Sequence, residues 1–123
     1  MKKEFSRLKN IVLGKHYELS LVFIDAAHSR KLNRVYRNKN KSTNVLSFPI
    51  SKKSGEIFID LDTAKSEAPK FGMTFQKFVT YLFIHGILHL KGMEHGGKME
   101  KRELKLLNGA PNRSRDRYRN IWN

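Results

Sequence analysis

Cysteine is absent from the 123 residues, which excludes disulfides, thiolate metal sites and cysteine nucleophiles together. Acidic side chains are scarce, with 11 Asp and Glu against 25 Lys and Arg, a formal charge of +14 with histidine neutral. That imbalance argues against acidic-site binding proteins and toward a polyanionic partner, nucleic acid ahead of membrane. Long apolar runs are also missing. The longest, residues 78–90, is interrupted by Thr80, His85, Gly86 and His89, and a membrane span needs about 20 residues. The opening MKKEFSRLKNIVLGKHYELS has positive charge but no apolar stretch before its next charges and no small-residue cleavage site. A cytoplasmic protein with no membrane partner is the expectation. Internal repeats and low-complexity linkers are absent too, and this length suits one domain over residues 1–123.

What is present is unevenly distributed. Residues 1–55 carry 13 basic and 3 acidic side chains, residues 56–97 carry 4 and 5, and residues 98–123 carry 8 and 3. Two basic flanks therefore bracket a near-neutral middle. Residues 18–25 (ELSLVFID) have the β-branched and aromatic content of a buried strand, and residues 26–37 suit a short helix with a basic outer face. Residues 43–50 and 55–61 read as two strands of a hairpin, with Pro49 placing the first at an edge. A short helix within 62–71 is stopped by Pro69 and Gly72. Residues 74–91 form the clearest helix, with Thr74 as N-cap and Gly92 as stop, and its nearly all-round apolar surface makes it central. Residues 98–107 read as a last amphipathic helix, broken at 108–111 and followed by a basic extension with Arg113, Arg115, Arg117 and Arg119.

Three of the five histidines fall in HGILHLKGMEH. His85 and His89 stand at i and i+4, on one helix face, where two imidazoles can grip one ion at about 2.0–2.1 Å. Gly92 lets the chain reverse and return His95 to the same ion. Three neutral imidazoles leave a fourth tetrahedral position for water, the open geometry of a catalytic zinc site with one ion per chain. The spacing matches the metzincin peptidase pattern except that Gly86 stands where the peptidase places its general-base Glu. The metal-binding half of that motif is present without the peptidase base. His16 and His28 have no such partners and read as ordinary surface residues.

HGILHLKGMEH resembles the H-G-x-L-H-L-x-G-[YF]-D-H signature of the YbeY family, bacterial endoribonucleases of ribosomal-RNA maturation. LNRVYR, STNVLSFP and GEI agree with the same family in order and spacing, so the resemblance covers about residues 18–107. It implies an α+β fold, with a small, mostly four-stranded mixed sheet around a central metal-binding helix and flanking helices. It also implies a zinc-dependent, single-strand-specific RNase that matures the 3′ end of small-subunit ribosomal RNA and serves ribosome quality control. His85, His89 and His95 take the family's metal positions, and Arg37 falls where the family carries an arginine important for activity. RNA, the small ribosomal subunit and ribosomal proteins are the partners implied. Met93 and Glu94 depart from the family's aromatic and Asp, and Glu94 is a candidate to orient a ligand histidine.

For phosphodiester hydrolysis the ion acidifies water and polarises a phosphoryl oxygen, while Arg37 offsets charge on the phosphate. The six basic and no acidic residues of 30–41 are expected to track the RNA backbone. Two rivals remain: an RNA-binding assembly factor with a structural zinc, and a metal hydrolase of another substrate. Gly86 counts against a peptidase.

Overall fold

The computed structural model describes residues 1–108, so the basic extension expected beyond about 108 lies outside the described residues. The chain runs α1 (Lys3–Leu13), β1 (Glu18–Ile24), α2 (Ala26–Arg37), β2 (Val45–Ser51), β3 (Ser54–Asp60), α3 (Leu61–Glu67), a 3₁₀ turn (Ala68–Phe71), α4 (Phe75–Lys91) and α5 (Gly97–Asn108). Each boundary has a local cause. The Asp25 carboxylate accepts the His28 N–H at 2.8 Å and starts α2; Asp60 and Thr74 cap α3 and α4 in the same way. Pro69 sits in the first turn of the 3₁₀ segment, where its missing N–H costs nothing.

The fold is α+β with a mixed sheet, but among the described residues the sheet holds three strands where four were expected. Their order is β1-β3-β2, with β1 parallel and β2 antiparallel to β3. Sequence reading assigned no element to the first 17 residues, and they supply a helix rather than a further strand. Phe5, Leu8 and Val12 recur at helical spacing and are all buried, whereas a strand would have turned alternate ones outward. The Phe5 ring stacks on Phe83 with centroids 4.4 Å apart.

Helix α4 is the centre of the molecule. Every residue from Phe78 to Leu88 is buried, because β2 and β3 cover one side and α1 and α5 cover others. Ile57 and Ile59 of β3 point into this core and are fully buried. Pro49 lies in edge strand β2, beside a register irregularity, one of the places where a sheet tolerates proline. Among the described residues no helix is long and apolar enough to cross a membrane.

Helix α2 lies against β3 and holds the following loop by two buried polar residues. Ser29 Oγ donates to the Thr43 carbonyl at 2.7 Å and accepts the Thr43 N–H at 2.9 Å. Asn33 Nδ2 donates to the Lys41 carbonyl at 2.8 Å. These bonds tie down the basic segment between Arg37 and Thr43.

Helix α1 is an integral part of the core. Truncation of Phe5 to Ala is expected to destabilise the protein by about 3–5 kcal/mol, the cost of an aromatic cavity. Urea unfolding checks this, and a loss under about 1 kcal/mol would mean that α1 is only loosely docked.

Candidate metal centre

The last turns of α4 carry His85 and His89 one above the other, with ring centroids 4.5 Å apart. At Gly92 the backbone turns to φ +103°, in the left-handed region that glycine enters without strain. The Gly92 N–H donates to the His89 carbonyl and the Met93 N–H to Leu88, closing the helix and reversing the chain. His95 returns with its ring 4.9 Å from His85 and 4.8 Å from His89. Donor nitrogens of the three histidines lie within 4.8 Å of one another, and the Nε2 atoms of His85 and His89 are 3.0 Å apart. Two nitrogens bound to one tetrahedral zinc at about 2.0–2.1 Å stand about 3.4 Å apart, so this spacing suits a shared ion.

The donor set is chemically prepared for a cation. Burial, joined by the neighbouring His95, lowers the His85 pKa to about 3. Burial, followed by the neighbouring imidazoles, lowers His89 to about 4. Both rings are therefore neutral, as metal binding requires. His85 Nδ1 stands 2.5 Å from the Glu103 carboxylate, and Tyr81 donates its hydroxyl to the other Glu103 oxygen at 3.3 Å. A proton on Nδ1 held by Glu103 leaves the Nε2 lone pair turned toward the other two rings. Burial raises Glu103 to about 8, with the Tyr81 bond pulling the other way.

Glu103 escaped the sequence reading, which offered Glu94 for the orienting role. Glu94 is exposed, whereas Glu103 is buried beneath His85 on α5. Its signal was its place on the apolar face of that helix, beside Leu104 and one turn after Met99, where a carboxylate needs a partner. His16 and His28 are both exposed and stand apart from the cluster.

The histidines line a pocket of about 890 Å³, together with Arg37, Lys41, Asn44, Glu67 and the β2 residues from Val45 to Pro49. Arg37 reaches it from the C-terminal end of α2. Glu67 is the carboxylate among these lining residues, and its Oε1 accepts from Asn44 Nδ2 at 3.0 Å. Gly86 faces elsewhere. A Cβ there would meet Ile57 Cδ1 at 2.9 Å and Ser47 Oγ at 3.1 Å, so the helix touches the sheet at this point. Ser47 Oγ also donates to the Gly86 carbonyl at 3.3 Å. The position that a peptidase gives to its base is filled here by strand packing.

Comparison with known proteins agrees in extent with this site. The family model Endoribonuclease YbeY matches residues 2–110. A curated Endoribonuclease YbeY of Bartonella quintana is 44% identical over 97 residues, covering 72% of this chain and 59% of that protein. That of Acholeplasma laidlawii is 37% identical over 90 residues, covering 70% and 66%. The chain thus spans 59–66% of the length of these two relatives. The solution structure of a Thermotoga maritima protein superposes with a TM-score of 0.62 at 24% identity, covering 85% of this chain and 77% of that one. This last likeness concerns the fold alone.

Two outcomes are expected of this centre. Glu103→Gln should weaken zinc binding about 10–100-fold in competition with a chromophoric chelator, because His85 loses the carboxyl group that holds its Nδ1. Unchanged affinity would show that Glu103 does not orient His85. The unfolded chain protonates its histidines near 6.5, while the native ones resist to about 3 and 4, so acid favours unfolding across that interval. Glu103, raised from 4.5 to about 8, acts in the opposite sense with one proton. Two histidine protons outweigh one carboxyl proton below 6.5, so the protein in chelator should lose stability as pH falls from 6.5 toward 4. Urea midpoints that rise with acid over that range would contradict this account.

Proposed function

The chain belongs to the YbeY family, and from that premise we propose that it is a zinc-dependent endoribonuclease acting on single-stranded RNA. The observation that carries this reading is the convergence of His85, His89 and His95 in a pocket that Arg37 and Lys41 also line. The charge of +14 favours a polyanionic substrate over a peptide or a small neutral molecule. Within RNA, the family's setting points to ribosomal RNA, at the 3′ end of the small-subunit molecule, in the cytoplasm and near ribosomal proteins.

In this reading His85, His89 and His95 hold the ion through ring nitrogens, and Glu103 keeps His85 in the required tautomer. A zinc ion in such a site acidifies water and polarises a phosphoryl oxygen. The planar guanidinium of Arg37 pairs with the non-bridging phosphate oxygens and offsets the charge that builds on them. Lys41 adds positive charge to the same wall. Glu67 is the carboxylate that lines this pocket, whereas position 86 offers none.

The test is cleavage of a labelled single-stranded RNA by the zinc-loaded chain beside two variants. His85→Ala should abolish cleavage along with zinc content. Arg37→Ala should retain zinc and lose about 100-fold in kcat, the scale of removing one donor aimed at developing charge. Cleavage that survives both substitutions would assign the activity to a contaminant. Tight RNA binding with no cleavage would instead make the protein an assembly factor with a structural zinc.

A further inference from the structure

On the face of the sheet that α2 covers, three aromatic rings step outward from the core. Phe58 of β3 and Phe48 of β2 stand edge to face with centroids 5.9 Å apart, and Tyr36 of α2 lies 5.2 Å from Phe48. The first two are half-buried, but Tyr36 is 66% exposed. Phe48 belongs to the lining of the histidine pocket, as does Arg37, the residue after Tyr36. Contact with Phe48 restrains the Tyr36 ring, so little freedom remains to be lost when another ring stacks on it. The charge around this ring argues against a protein partner, since interface cores are poor in lysine. Arg34, Arg37, Lys39 and Lys41 are all exposed here, and no acidic residue occurs between 26 and 55. A flat apolar surface ringed by cations fits a nucleobase with its phosphates.

We propose that Tyr36, seated on Phe48, stacks against an unpaired base of the RNA strand whose phosphate occupies the histidine pocket. The inference rests on the RNA reading above and deepens it. In a duplex each base face is already covered by its neighbours, whereas a single strand can turn one base onto an aromatic ring. Tyr36 would therefore determine the preference for single strands, while the lysines and arginines supply affinity for either form.

The experiment measures fluorescence anisotropy of a short 2′-O-methyl RNA, single-stranded or annealed to its complement, with the zinc-loaded chain. Tyr36→Ala should weaken single-strand binding about tenfold, leave duplex binding unchanged and keep the salt dependence of the parent. Tyr36→Trp should restore the single-strand preference. Arg34→Ala should weaken both forms and flatten the salt dependence, which separates charge from stacking. Tyr36→Ala binding like the parent, or losing equally on both RNAs, would overturn the stacking role while the RNA reading stands. A parent that binds neither RNA would overturn the RNA reading and the stacking with it.

Discussion

Helix α4 has to be the hydrophobic centre of the molecule and to carry two polar rings on the same cylinder. Eleven consecutive buried residues leave His85 only 3% exposed, so its imidazole has to find polar partners inside the protein. Glu103 on α5 meets that need from one side, and the rings of His89 and His95 face it from the other. The carboxylate is itself as deeply buried and leans on Tyr81. This chain of contacts ties the site to the packing of α5 on α4.

The same helix is held close to the sheet, and the closeness has chemical consequences. Gly86 lets Ile57 and Ser47 approach the helix backbone, which anchors the His85 turn against β2 and β3. A larger residue would push the helix away from the strand that forms the pocket wall. Interior glycine weakens a helix by about 1 kcal/mol relative to alanine, and the packing gained across the sheet offsets that cost. The lack of a carboxylate at 86 thus follows from where the helix turns this face.

The basic side of the pocket is built separately. Ser29 and Asn33 are polar residues buried in α2, and both bond to the loop that runs from Arg37 to Thr43. They hold a highly charged segment in a defined place despite its mutual repulsion. Arg37 and Lys41 consequently share the histidine pocket although they lie more than forty residues away in sequence.

Much of this was legible in the sequence because it depends on local rules. The i, i+4 spacing of His85 and His89 follows from helical geometry, and the glycine stop at 92 determines where the chain can turn back with His95. The α2 bounds, the β2–β3 hairpin and the Thr74 cap likewise come from patterns a few residues long. The fourth strand did not materialise, because the expected sheet size came from family likeness while Phe5, Leu8 and Val12 repeat at helical spacing. Glu103 as the partner of His85, strand contact at Gly86, and Arg37 and Phe48 at one pocket were decided by tertiary structure alone. Each depends on which surfaces meet when distant segments bury their apolar faces together, and no local spacing encodes that choice.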